Sequence, residues 1–142
     1  MKVLILCTGN SCRSQMAHGF LKSFDNRLEV ASAGTEPSDT VNPGAVAAMQ
    51  EENIDISGHR PTMVDEYISD EWDYVITVCD DANETCPAFL GKVKNRLHMG
   101  FEDPSKATGS DEFIRSEFRR VRNEIKEAFY KLYTEELKPR LK

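Results

Sequence analysis

Basic charge, cysteine and long apolar runs are all scarce in this chain, and each shortage removes a class of function. Eighteen Lys and Arg stand against 24 Asp and Glu, a formal net charge of -6. That balance argues against nucleic acid and anionic membrane as main partners. No run of residues approaches the length of a membrane span. The apolar stretch from Val3 to Cys7 follows Lys2 like the opening of an export signal, but it is short and polar residues follow at once. A cytoplasmic address is therefore expected, and the Asn83-Glu84-Thr85 glycosylation sequon has no use there. The chain has only 4 cysteines, and in a reducing compartment they point to catalysis or metal before structural disulfides. Internal repeats, low-complexity tracts and linkers are missing, as are a dinucleotide fingerprint, a Lys-bearing nucleotide loop and a His-Glu-x-x-His element. What remains is a chain of 142 residues, 39% hydrophobic and 30% charged. Such a chain makes one domain, residues 1–142, with a real core and no bound cofactor implied. Nothing in it demands more than a monomer.

The most informative residues are Cys7-Thr8-Gly9-Asn10-Ser11-Cys12-Arg13-Ser14, which directly follow the apolar run Val3-Leu4-Ile5-Leu6. A short buried strand delivers a thiol to a tight loop, and Ser14 opens a helix. Backbone N–H groups of such a loop can converge on a tetrahedral oxyanion, helped by the positive end of the helix. The same field, with Arg13 nearby, favours a thiolate, and cysteines so placed have pKa values of roughly 3.5–7.5 instead of about 8.5. An activated nucleophile under an anion cradle suits covalent attack on phosphate or a similar oxyanion. Cys7 alone would read as a buried structural cysteine. Its register with Gly9, Asn10, Arg13 and Ser14 favours the nucleophile.

Strand-like and helix-like runs alternate, which predicts βαβ units, a parallel sheet and an α/β fold. Strands are expected at residues 2–7, 28–33, 74–78 and, more weakly, 95–99. The first helix carries Met16, Ala17, Phe20, Leu21 and Phe24 on one face. Asn42-Pro43 reads as a cap with proline at the first helical position, leading into Ala45, Ala48 and Met49. A long helix is expected from near Ser110, with Ile114, Phe118, Val121, Ile125, Ala128 and Leu132 as its core stripe and Phe113 and Phe129 adding breadth.

In a parallel sheet, ligands bind at the carboxyl ends of the strands. Cys7 and Cys79 both lie at strand ends on that edge, and the fourth strand runs into Gly100-Phe101-Glu102-Asp103-Pro104. A nucleophilic thiol, a second thiol and a carboxyl group thus meet one rim. Asp103 is suited to protonating a leaving oxygen, although an isolated Asp-Pro pair is more often a surface turn. Cys86 follows Cys79 by seven positions across an acidic stretch that suits a first helical turn. On a helix that spacing is about 10.5 Å, whereas a disulfide needs Cα atoms roughly 4.4–6.8 Å apart. If the stretch is helical, Cys79 and Cys86 pair only by unwinding it, an order-to-loop change coupled to oxidation. The alternative is that Cys86 is a small hydrophobe before Pro87.

Taken together these residues resemble the low-molecular-weight tyrosine-phosphatase superfamily, and within it the thioredoxin-coupled arsenate reductases. The likeness runs nearly end to end. It takes in CTGNSCRSQMA from Cys7, Ser32-Ala33-Gly34, Val41-Asn42-Pro43, IDIS from Ile54, Cys79 with Cys86-Pro87, Phe101-Glu102-Asp103-Pro104 and residues 118–125. Gln15 stands where phosphatases of this fold usually place proline, and no tyrosine follows Asp103-Pro104. The Cys79/Cys86 pair is the most specific feature, since a phosphatase has no use for it. The resemblance implies a single-domain, four-stranded parallel sheet flanked by helices. Its implied substrate is arsenate, with phosphate or sulfate as analogues, and its implied external reductant is thioredoxin. It also implies roles. Cys7 attacks arsenate held by Arg13 and the N–H groups of Thr8, Gly9, Asn10, Ser11, Cys12 and Ser14, while Asp103 protonates the departing oxygen. Cys79 then attacks Cys7, arsenite leaves, and Cys86 resolves the disulfide to Cys79–Cys86 for thioredoxin. Asn10 holds the loop in shape, Ser14 hydrogen-bonds Cys7, and the Cys12 side chain supports packing.

The chain departs from some relatives at His18 and Thr62, where carboxylates elsewhere surround a monovalent cation, so no cation site is expected. His59 and His98 have no partner legible in the sequence. Two other readings compete. One is a phosphotyrosine phosphatase using only Cys7, Arg13 and Asp103. The other is a non-catalytic oxyanion- or zinc-binding module, against which the thiol spacings and Arg13 both count.

Overall fold

The computed structural model describes residues 1–80 and 88–141. Four strands alternate with helices in the order β1 (Lys2–Cys7), α1 (Arg13–Phe24), β2 (Glu29–Gly34), α2 (Pro43–Gln50), β3 (Glu71–Thr77), β4 (Lys92–His98) and α3 (Asp111–Leu132). They form one sheet with spatial order β2-β1-β3-β4, every pairing parallel. The expected four-stranded α/β architecture is therefore the observed one. Strand edges differ: β3 begins at Glu71 and β4 at Lys92, earlier than apolar content suggests. Residues at these starts are polar because they meet partners at the sheet's rim. Asp73 accepts the Lys2 N–H at 2.8 Å, and Asn95 donates to the Asp73 carbonyl at 3.0 Å.

Central position explains β1. Val3, Leu4, Ile5 and Leu6 are wholly buried, since a strand covered on both faces needs apolar residues throughout. Edge strand β4 instead alternates, exposing Lys92, Lys94, Arg96 and His98, charges that discourage further strand addition.

Helix ends follow local chemistry. Asn42 caps α2 by accepting the Gly44 N–H at 2.8 Å, with Pro43 at the first position. Ser110 caps α3 by accepting the Phe113 N–H at 3.1 Å, and Asp111 and Glu112 sit at the positive end of the dipole. Phe118, Val121, Ile125, Phe129 and Leu132 bury the stripe of α3. Phe113 is a correction: it is 49% exposed. It heads the face that continues as Glu117, Arg120 and Glu124, one step round the helix from the core. Beyond Leu132 a π-turn, Tyr133–Leu137, carries the helix on and buries Leu137 fully.

Helices α2 and α3 close on each other around Gly44. A Cβ there would stand 2.7 Å from the Phe118 ring. Arg122 donates to the Ala48 carbonyl at 2.9 Å and to Glu51 at 2.7 Å, and Arg119 binds the same carboxylate through two nitrogens. Together they hold the carboxyl end of α2, the helix whose amino end follows residues 36–42.

Candidate active site

The sheet brings the Cys7 loop, residue Cys79 and the 101–106 segment to one edge. Leu6 pairs with Thr77, and the ladder continues as Val78 donates to the Leu6 carbonyl at 2.9 Å and Phe101 donates to the Val78 carbonyl at 3.2 Å. Cys7 is therefore flanked by the segment bearing Cys79, and that segment by the one bearing Asp103.

Carbonyl groups of the loop are taken up from outside. Glu36 donates to Thr8 at 3.0 Å, Ser38 to Gly9 at 2.9 Å and Asn42 to Ser11 at 2.9 Å, while Gln15 Nε2 donates to the Asn10 carbonyl at 3.1 Å. These carbonyls are engaged outside the loop, while the Asn10 N–H turns inward to Cys7 Sγ at 3.2 Å. Asn10 makes the bend in the left-handed region, φ 49°, which asparagine tolerates better than most residues. Gly34, ending β2, lets the loop lie against the sheet: a Cβ there would fall 2.3 Å from the Thr8 carbonyl oxygen, so no other residue fits.

The resulting cavity has a volume of about 280 Å³ and is lined by residues 7–13 with Ser38, Asp103, Ser105 and Lys106. Cys7 is 2% exposed; its Sγ lies 2.9 Å from Ser14 Oγ and accepts the Asn10 N–H at 3.2 Å. Arg13 is buried; its Nη1 donates to the Phe101 carbonyl at 3.2 Å, and its Nη2 stands 3.6 Å from Asp103 Oδ2. The guanidinium is thus aimed by the segment that carries the carboxylate. Asp103 is both turn and lining residue: its Oδ1 accepts from Ser105 N and Oγ at 3.0 and 2.6 Å, leaving Oδ2 toward Arg13. The Asp-Pro turn therefore lines the cavity instead of lying apart from it.

Cys12 belongs to the loop through its backbone, while its side chain packs. Burial pushes its thiol up to about 12, so it stays protonated and inert. Cys79 is wholly buried and disulfide-bonded, whereas Cys7 and Cys12 are free thiols. Cys86, and the expected order-to-loop change at residues 80–85, fall on or run into residues 81–87, outside the described residues.

Ser38, Ser105 and Lys106 were not legible in the sequence, for they reach the cavity only through tertiary register. The histidines also find partners. His59 Nδ1 meets Gln15 Oε1 at 3.0 Å and its ring lies 4.6 Å from that of His18. Burial, then the proximity of His59, pushes His18 down to about 3, and the same burial lowers His59. His98 pairs with Thr77 Oγ1 at 2.7 Å. Among the described residues no group of three or more His, Cys, Asp or Glu side chains is arranged to hold a metal ion.

Residues 2–142 match the family described as low molecular weight phosphotyrosine protein phosphatase. Arsenate reductase of Halalkalibacterium halodurans is 48% identical over 124 residues, covering 87% of this chain and 88% of that protein. Arsenate reductase of Bacillus subtilis is 46% identical over the same length and with the same coverage. Among solved structures, an arsenate reductase in the phosphate-binding state superposes with TM-score 0.78 at 34% identity, covering 94% of this chain and 96% of that one. An arsenate reductase in the oxidized state gives 0.77 at 33%, with the same coverage. With its thiol loop, parallel sheet and end-to-end match, this chain belongs to the low-molecular-weight phosphotyrosine protein phosphatase family.

Proposed function

We propose that the protein reduces arsenate to arsenite by a three-thiol relay that thioredoxin resets. Arsenate enters the cavity, where the loop N–H groups and Arg13 neutralise its charge. Cys7 attacks arsenic as an oxygen departs with a proton from Asp103, leaving a Cys7–arsenic bond. Cys79 then attacks the Cys7 sulfur. A sulfur–sulfur bond forms, the sulfur–arsenic bond breaks, and its electron pair stays on arsenic, which leaves as arsenite. Cys86 next displaces Cys7 from Cys79, restoring the nucleophile and leaving Cys79–Cys86 for the dithiol of thioredoxin, which is itself oxidised.

One observation carries this reading beyond hydrolysis: Cys79, buried at the sheet edge beside Cys7, is disulfide-bonded while Cys7 keeps a free thiol. A phosphatase needs Cys7, Arg13 and Asp103 alone. The arsenate reductases that resemble this chain over most of their length point the same way. The test is one preparation assayed side by side, with arsenate, thioredoxin, thioredoxin reductase and NADPH, and then with an aryl phosphate. Arsenate-dependent NADPH oxidation that needs thioredoxin supports the relay. Aryl-phosphate turnover far exceeding it would favour the phosphatase, a reading that the complete Cys7–Arg13–Asp103 set also satisfies.

A further inference from the structure

The tripeptide that faces Arg13 is itself held from outside the cavity. Phe101 and Asp103 both meet that guanidinium: the Phe101 carbonyl accepts from Nη1 at 3.2 Å, and Asp103 Oδ2 stands 3.6 Å from Nη2. Glu102, between them, turns to α3 instead. Its side chain is 67% exposed, and its Oε2 accepts from Arg120 Nη2 at 3.0 Å. Arg120 is oriented by its own helix. Glu117 accepts from its Nε at 3.0 Å and from its Nη2 at 3.2 Å, and Glu124 accepts from its Nη1 at 2.9 Å. Residues three and four apart on a helix are neighbours, so α3 alone fixes the fork and presents Nη2 to Glu102. The helix is anchored in turn by Phe118, Val121 and Ile125 in the core. Exposed ion pairs add little to stability. What this one does is tie residue 102 to a rigid element.

We propose that Arg120 and Glu102 are positioning residues for the oxyanion site: their bridge sets the Phe101 carbonyl and the Asp103 carboxylate that aim Arg13. Neither lines the cavity. Phe101 fixes one end of the tripeptide, its N–H bonded to the Val78 carbonyl at 3.2 Å and its ring 6.3 Å from that of Phe129. At the other end, the bonds from Asp103 to Ser105 stay within their own turn. The bridge acts on the residue between. The Phe101 carbonyl lies in the planar peptide that joins residues 101 and 102, so a turn about the Glu102 backbone swings it directly. Without the bridge that turn is less restrained, and the buried guanidinium loses part of what aims it.

This inference rests on the cavity being an oxyanion site, and its test tells the two apart. Inorganic phosphate is titrated calorimetrically into the parent protein and its variants at pH 7 and low salt, where charge effects are least screened. Removing a negative charge from beside an anion site tightens binding by Coulomb attraction alone, whereas losing the aim of Arg13 weakens it. The sign therefore decides. Glu102→Met, which keeps the length and removes the acceptor, is expected to weaken phosphate binding by about two- to fivefold, the shift that an exposed ion pair can impose. Glu102→Gln, which keeps an acceptor oxygen for Arg120, should stay nearer the parent. Arg120→Met should bind at least as weakly as Glu102→Met, and in its background Glu102→Met should cost nothing further. Neither side chain belongs to the core, so the variants fold, as melting curves will check. Phosphate binding by Glu102→Met as tight as in the parent, or tighter, would overturn the proposal. So would losses that multiply in the double variant, since the two residues would then act separately. A parent that binds no phosphate would remove the oxyanion site, and this proposal with it.

Discussion

In the proposed reaction three side chains of this cavity carry three different tasks. Cys7 is the proposed nucleophile, so Cys7→Ser should abolish both arsenate reduction and aryl-phosphate hydrolysis; appreciable activity of either kind would remove Cys7 from the role. Arg13 is aimed by the Phe101 carbonyl and faces Asp103, and only a planar fork can serve those partners and an oxyanion together. Arg13→Lys should be severely impaired in steady-state assays with either substrate. Asp103→Asn should slow aryl-phosphate turnover by roughly 10²–10⁴-fold, the usual worth of a general acid. An unchanged rate across pH would reduce Asp103 to its turn. Cys12 is the contrasting thiol. With burial holding it protonated up to about 12, it should resist iodoacetamide at pH 8 while Cys7 is labelled, and peptide mapping would show both.

At the scale of elements, the site depends on how α2 and α3 hold the segment that satisfies the loop carbonyls. Hydrogen bonds from Arg119 and Arg122 pull Glu51 down to about 2 from the ordinary 4.5. A depressed carboxylate contributes stability that is present above pH 4.5 and lost as pH falls through about 2. The stability gap between parent and Glu51→Gln, measured by denaturant titration, should therefore be constant near neutrality and close between those values. The carboxylate is 41% exposed, so solvent screening keeps that gap small. Gly44→Ala should cost more, about 1–3 kcal/mol by thermal or denaturant melting, because the Phe118 ring must move. Much of this level was legible beforehand. Asn42-Pro43 and Ser110 announce their helices by capping chemistry, and the α3 stripe announces its buried face. Phe113 departs from that stripe because apolar character alone does not say on which side of it a first-turn residue falls.

For the molecule as a whole, the parallel sheet is what turns distant sequence into one site. Cys7 and Asp103 could be placed in advance because strand order puts both at the carboxyl edge. Ser38, Ser105, Lys106 and the His59–Gln15 partnership could not, since each depends on which loop packs on which. The central claim is that this frame serves a thiol relay, and Cys86→Ser tests it most directly, because hydrolysis has no need of that residue. The variant is assayed with arsenate, thioredoxin, thioredoxin reductase and NADPH, and in parallel with an aryl phosphate. Arsenate reduction should stop after one round, with Cys7 joined to Cys79 by peptide mapping, while aryl-phosphate turnover stays near the parent rate. Repeated thioredoxin-dependent turnover of arsenate at the parent rate would contradict the relay.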